Sequence, residues 1–344
     1  MAQVETVSPP KSTDAMPLRG IDHVEMYVGN AHEARYFFTH ALRFRETAHA
    51  GLETGVRDRV SFVLEQGRIR IVVTGALHQG SEIARHVAEH GDGVKVIALS
   101  VPNAEHAYRY AVRHGARGVR EPWEESDEHG TVRCATIATY GETLHTFVER
   151  DDYHGPFLPG YKEPATDGAV DAGLLAGIDH VVGNVELGRM EEWVSYYERV
   201  LGFTEMIHFS DKDISTEYSA LMSKVVADGN GRIKFPINEP AEGRRKSQIE
   251  EFLEYYGGAG VQHIALSTTD IVHAVRELTE RGVEFLRTPD TYYQELPERV
   301  GEIAENLTDL RELGILADRD DEGYLLQIFT KPVGDRPTVF FEVI

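Results

Sequence analysis

Cysteine is nearly missing from this sequence: Cys134 stands alone among 344 residues. A lone thiol closes no intramolecular disulfide, so the fold does not depend on an oxidising compartment. Long apolar runs are missing too. No stretch reaches the eighteen or so residues that a membrane-spanning helix needs, so no membrane association is expected. Residues 1–17 (MAQVETVSPPKSTDAMP) lack the apolar segment of a secretory signal and read as a disordered tail. Basic charge is scarce, with 35 Lys and Arg against 57 Asp and Glu, a formal net of −22. Such a field repels phosphate backbones and anionic lipid surfaces, so nucleic acid is not an expected partner. The chain reads as cytoplasmic. What it does have is 41% hydrophobic residues over a length that suits two domains with substantial cores.

The chain repeats itself. Gly20-Ile21-Asp22-His23-Val24 recurs as Gly177-Ile178-Asp179-His180-Val181, each followed by Gly-Asn and a helical pattern. In the second copy Met190, Trp193, Val194, Tyr197 and Leu201 form one apolar stripe, and Gly202 suits a helix C-cap. Residues 91–122 match 258–289 through a shared GxGV, IALS, helix, Gly and Pro frame, and more loosely 141–147 pair with 323–329. The fold class expected is α+β: four βαβββ modules forming two open β-barrel domains. The domains expected are 18–150 and 176–344, with the Pro- and Gly-rich 151–175 as linker.

Mismatches between the copies carry the chemical signal. The first-strand histidine occurs in both, as His23 and His180, but the second-strand position is His263 in one copy and Val96 in the other. A two-histidine site is therefore possible only in the C-terminal half, which leaves His23 a vestigial, structural role. Taken alone, His180 reads as an ordinary strand histidine; His263 says more, because Val96 shows that the strand does not require imidazole. Glu342 lies in an otherwise apolar terminal strand. A buried carboxylate there needs a partner or a metal, whereas an edge position would leave it in water, and spacing alone leaves both open. Two histidines and one carboxylate make the facial triad of non-haem Fe(II) oxygenases, with one ion per chain. Three open coordination positions would then accept a bidentate α-keto acid and dioxygen. Both imidazoles must be neutral to ligate, so iron affinity should fall towards low pH.

A long ordered set of motifs strengthens this reading: Ile178-Asp-His-Val-Val-Gly-Asn-Val-Glu-Leu187, Glu217-Tyr-Ser-Ala-Leu-Met-Ser-Lys224, Phe235-Pro-Ile-Asn-Glu-Pro240, Lys246-Ser-Gln-Ile249, Gly257-Gly-Ala-Gly-Val-Gln-His-Ile-Ala-Leu266, Leu313-Gly-Ile-Leu-Ala-Asp318, Gln327-Ile-Phe-Thr-Lys-Pro332 and Phe340-Phe-Glu342. With them the chain resembles the 4-hydroxyphenylpyruvate dioxygenase family, of the vicinal oxygen chelate superfamily, over nearly all of 18–344. The resemblance implies His180, His263 and Glu342 as Fe(II) ligands. It implies a substrate pocket of Ser223, Asn238, Gln248, Gln262, Gln327, Phe329 and Phe340, shaped by Val182 and Pro236. The reaction it implies converts 4-hydroxyphenylpyruvate and O2 to homogentisate and CO2, in tyrosine catabolism, by a homo-oligomer. On a regular strand Gln262 should point away from His263, so its inclusion requires a twist or bulge. Ordinary roles also suit these residues: a turn cap for Ser223, an Asx-turn for Asn238, a helix first turn for Gln248, core packing for both phenylalanines. The alternatives are a 4-hydroxymandelate synthase using the same substrate and, distantly, a metal-free small-molecule-binding protein of the same fold. Family members continue past the position of Ile344 into a helix covering the pocket, so this chain is expected to bind iron but turn over poorly.

Overall fold

The computed structural model describes residues 16–165, 173–206, 221–241, 246–319 and 323–344. Residues 1–15 of the expected tail, 166–172 of the expected linker and 217–220 of the motif ending at Lys224 lie outside the described residues.

The first half runs β1 (Gly20–Tyr27), α1 (Ala31–His40), β2 (Arg45–Ala50), β3 (Arg59–Gln66), β4 (Ile69–Ala76), α2 (Glu82–His90), β5 (Gly93–Ser100), α3 (Ala104–Arg113), β6 (Gly118–Asp127), β7 (Gly130–Ala138) and β8 (Leu144–Glu149). The second runs β9 (Gly177–Asn184), α4 (Met190–Leu201), β10 (Thr204–Met206), β11 (Leu221–Ala227), β12 (Lys234–Pro240), α5 (Gln248–Tyr256), β13 (Gly260–Ser267), α6 (Ile271–Glu280), α7 (Asp290–Val300), α8 (Leu307–Leu313), β14 (Leu316–Arg319), β15 (Tyr324–Phe329) and β16 (Phe340–Val343). Each half is one curled eight-stranded sheet, ordered β2-β3-β4-β1-β5-β8-β7-β6 and β10-β11-β12-β9-β13-β16-β15-β14. The two orders superimpose strand for strand, so each sheet is two βαβββ modules joined through β1–β5 or β9–β13, as the repeat implied. The second half adds α7 and α8 where the first passes from α3 directly to β6.

This correspondence revises one detail of the internal alignment. By sheet position β7 matches β15 and β8 matches β16. The segment 141–147, which leads into β8, therefore does not correspond to 323–329, which is the turn and strand β15. Its apparent likeness came from a shared Gly before an apolar strand; the true counterpart of Gly323 is Gly130, and both have positive φ at the head of the matched strand.

Local chemistry sets the ends of the elements. Asn30 caps α1 by accepting from the backbone N–H groups of His32 and Glu33. Ser247 and Glu250 make a reciprocal capping box on α5, and Gly202 closes α4 at φ 69°. One core fills the space between the two sheets' helical faces. Packing there is crossed. Phe341 of β16 meets Phe38 of α1 edge-on, and His145 of β8 meets Tyr197 of α4, so each half's first helix, lying on its own sheet, also touches a strand of the other half. Met16 and Leu18 are already buried in this core.

The concave faces point away from it and differ sharply. In the first half the face is filled by the chain that follows β8. Phe157 and Tyr161 pack with Ala48, Ala50, Val63 and Val72, and Tyr153 packs with Val96, Ala98, Val132 and Val148. Part of the expected linker is thus a plug. His23 sits under it, its ring 5.0 Å from that of Phe157 in an edge-on contact.

Candidate metal centre

The concave face of the second sheet carries nearly every residue singled out in the sequence. Register fixes this. Ser223 lies opposite Asn238, Val225 opposite Pro236, Val182 opposite His263, His180 opposite Ala265, Phe340 beside His263, Glu342 beside Ala265 and Phe329 opposite Glu342. Laterally paired residues share a face, and residues two apart on a strand do likewise, so Gln327 joins Phe329 there. The residues between them, such as Val181, Ile264, Ile328 and Phe341, face the common core.

At the centre His180 Nε2 lies 3.0 Å and His263 Nε2 3.3 Å from the same oxygen of Glu342. Both histidines present Nε2 because their Nδ1–H groups are engaged elsewhere. His180 donates to Asp179 (2.8 Å) and His263 to the Gln262 carbonyl oxygen (2.9 Å). Glu342 is buried. Burial pushes its carboxyl up, but the two imidazoles outweigh that and hold it down at about 2. Burial would lower His180, yet Asp179 and Glu342 raise it to about 9; His263, more deeply buried, is lowered. Three lone-pair-bearing atoms facing one another need a positive charge among them. A proton on His180 meets that need here, and a divalent cation of the iron or zinc type would meet it with all three groups as ligands. The donor set fits such an ion.

The surroundings are aromatic and amide-rich. The Phe340 ring stacks on His263 at 4.8 Å, and Phe329 meets it edge-on at 5.9 Å. Gln327 donates to Asp318 (3.0 Å), which fixes the orientation of its amide. Asn238 is buried and Ser223 half-buried across from it. Gln262 reaches the site because the β9–β13 register slips between Val261 and His263, a bulge that turns two neighbouring side chains to one side. Its amide therefore braces a ligand-type histidine. Gln248 stands exposed in the first turn of α5, and among the described residues no hydrogen bond or ring contact joins it to His180, His263 or Glu342.

Sequence reasoning passed over Asp179 and Lys234. Lys234 Nζ lies 2.9 and 3.0 Å from the two Asp179 oxygens, and burial is outweighed by His180 and Lys234 to hold Asp179 at about 2. The signal for Asp179 was present, since Asp-His recurs in both copies and Asp22 binds His23 Nδ1 in the same way (2.7 Å).

Residues 20–139 and 177–328 match the Glyoxalase/Bleomycin resistance protein/Dioxygenase superfamily. The chain is 48% identical over 332 residues to 4-hydroxyphenylpyruvate dioxygenase of Xenopus tropicalis, across 94% of this chain and 84% of that one. It is 48% identical over 338 residues to the protein of that name from Dictyostelium discoideum, across 95% and 92%. Among solved structures, a triple mutant of 4-hydroxymandelate synthase from Streptomyces coelicolor aligns with a TM-score of 0.84 at 36% identity, over 95% of this chain and 92% of that one. No helix among the described residues is long and apolar enough to cross a membrane. The duplicated sheets and the likenesses agree, and the chain belongs to the 4-hydroxyphenylpyruvate dioxygenase family of oxidoreductases within the vicinal oxygen chelate superfamily.

Proposed function

We propose that this chain converts 4-hydroxyphenylpyruvate and O2 to homogentisate and CO2, using one Fe(II) held by His180, His263 and Glu342. The observation that carries the reading is the convergence of these three side chains on one buried point, 3.0 and 3.3 Å apart. Fe(II) bound there would supply the Lewis-acid and redox chemistry that sets dioxygen against a keto acid.

The protein's own residues do the rest. Asp179 and Gln262 hold the two imidazoles with Nε2 forward. Phe329 and Phe340 wall the site beside His263 and keep an aromatic ring there out of water. Ser223, Asn238 and Gln327 offer polar groups for the far, phenolic end, with Val182 and Pro236 as apolar floor. The first half supports this placement from inside the molecule. By strand correspondence Ser61 stands where Ser223 stands, and the buried Tyr161 phenol interacts with Ser61, while Phe157 lies over His23 where His180 lies in the other half. A hydroxyphenyl group thus already occupies the corresponding pocket of the plugged copy. Gln248, Gln262 and Gln327 belong to the proposed pocket with different strength: Gln262 as a brace, Gln327 as a wall, Gln248 only through the family resemblance.

The second reading, 4-hydroxymandelate synthesis, draws on the 36%-identical relative; the 48%-identical dioxygenases favour homogentisate. The deciding experiment loads the protein with Fe(II) anaerobically, adds 4-hydroxyphenylpyruvate and O2, and identifies the product chromatographically. Homogentisate is expected. Hydroxymandelate would move the chain to the sister activity, and no product from iron-loaded protein would overturn both. A cytoplasmic homo-oligomer completes the proposal, checked by light scattering and cell fractionation.

A further inference from the structure

Away from that centre the described residues bring together one other set of metal-ligand side chains, His86 and His90 of α2 with Glu142 of the turn between β7 and β8, so two histidines and a carboxylate also converge in the first half, which a comparison limited to the strand histidines had excluded. Their ligand-type atoms all lie within 4.8 Å of one another. His86 Nδ1 is 3.1 Å and His90 Nε2 3.6 Å from the same Glu142 oxygen. His90 Nδ1–H donates to the Tyr256 carbonyl (2.6 Å), which leaves the Nε2 lone pair facing the carboxylate. Both histidines are buried, and His90 Nε2, the nitrogen that faces the carboxylate, has no hydrogen-bond partner among the described residues.

Packing does not ask for these nitrogens. Helix α5 is the second copy of α2, and it places Phe252 and Tyr256 where α2 places His86 and His90. The rings pack together, His86 tilted against His90 at 4.6 Å, His90 stacked on Tyr256 at 4.5 Å and Phe252 stacked on Tyr256 at 5.0 Å. Rings without a ligating nitrogen fill the positions in one copy, although the Tyr256 hydroxyl there also has no hydrogen-bond partner among the described residues. Imidazoles in the other turn His86 Nδ1 and His90 Nε2 towards one carboxylate, and the unpartnered His90 Nε2 carries a penalty that a bound ion would relieve. Two histidines four apart on one helix face, with a carboxylate opposite, form a nitrogen–oxygen donor set suited to a zinc-class ion. Lys95 opposes a cation, with Nζ 3.2 Å from the Glu142 oxygen, but it has a second carboxylate in Glu82 at 3.4 Å. Its flexible stem allows the ammonium to pass wholly to Glu82. Glu142 is partly exposed and opens a path for an ion.

We propose that His86, His90 and Glu142 bind one divalent transition-metal ion, distinct from the iron, with Lys95 turned to Glu82. The ion would pin α2 to the β7–β8 turn at the seam where α5 packs.

Counting ions tests this. Chelator-stripped protein is dialysed against Co2+, and bound cobalt per chain is measured for the native sequence and for the double substitution His86→Phe with His90→Tyr. Those side chains are the ones α5 carries at the matching places. The expected result is the loss of one equivalent of cobalt in the variant, with circular dichroism and iron-dependent turnover retained. Equal cobalt in both proteins overturns the site. Should the double variant not fold, Glu142→Gln in the turn carries the same decision: at least tenfold weaker binding of one equivalent is expected in a Co2+ titration, and an unchanged titration overturns the proposal.

Discussion

Asp179 decides which nitrogen of His180 faces Glu342. Its carboxylate accepts a hydrogen bond from Nδ1–H, and Lys234 in turn fixes the carboxylate, so the imidazole is aimed by a two-step relay from the neighbouring strand. Replacing Asp179 with Asn keeps the shape and removes the charge. Iron affinity should fall by about 10–100-fold, read by competition with a chelator, since groups behind a ligand commonly act at that scale. Unchanged affinity would reduce the Asp179–Lys234 pair to packing. His263→Ala should abolish both iron retention and turnover, and an active, iron-loaded variant would refute the proposed ligand set. At this scale the sequence was readable where the copies disagree: Val96 against His263 isolates the imidazole as unneeded by the strand. Gln262 was not readable, because period-two alternation turns it away and only the bulge in β13 brings it round.

Among elements, the segment after β8 carries the largest surprise. Its glycines and prolines read as a connector, yet Phe157 and Tyr161 fill the concave face of the first sheet. Arg150 ties this plug down, donating to both Asp22 oxygens at 2.7 Å and to the Phe157 carbonyl. Turn-forming residues announce where a chain leaves a strand but not what the following aromatics will cover, so the plug could not be inferred from composition. Phe157→Ala should destabilise the fold by about 3–5 kcal/mol in denaturant unfolding, the usual range for deleting a buried ring. The iron content of the folded protein should stay as it was, because the plug lies on the other sheet. The βαβββ order, in contrast, was legible, since both the Gly-Ile-Asp-His-Val and IALS segments mark matched central strands in each half.

Taken as a whole molecule, the two halves meet through His145, which is fully buried. It stacks on Phe235 at 5.4 Å, accepts from the Tyr197 hydroxyl and donates to the Ile97 carbonyl. Burial lowers it to about 4 from an ordinary 6.5. The folded chain therefore refuses a proton that the unfolded chain accepts between these values. The His145 contribution to stability is fully present above about pH 6.5 and is lost as pH falls towards about 4. Unfolding titrations across this window should show that loss, and His145→Phe, matching Phe341 in the other copy, should make it shallower while His86, lowered to about 4 by burial, keeps its own share. Crossed packing also predicts that residues 173–344 expressed alone will aggregate in size-exclusion chromatography. The fragment would hold the whole triad, but its side of the shared core, Phe341 and Tyr197 included, would be bare. The core shared across the seam thus acts as an evolutionary ratchet. The half without the His180, His263 and Glu342 set can do without those ligands, but it cannot be deleted, because its partner now relies on it as a wall.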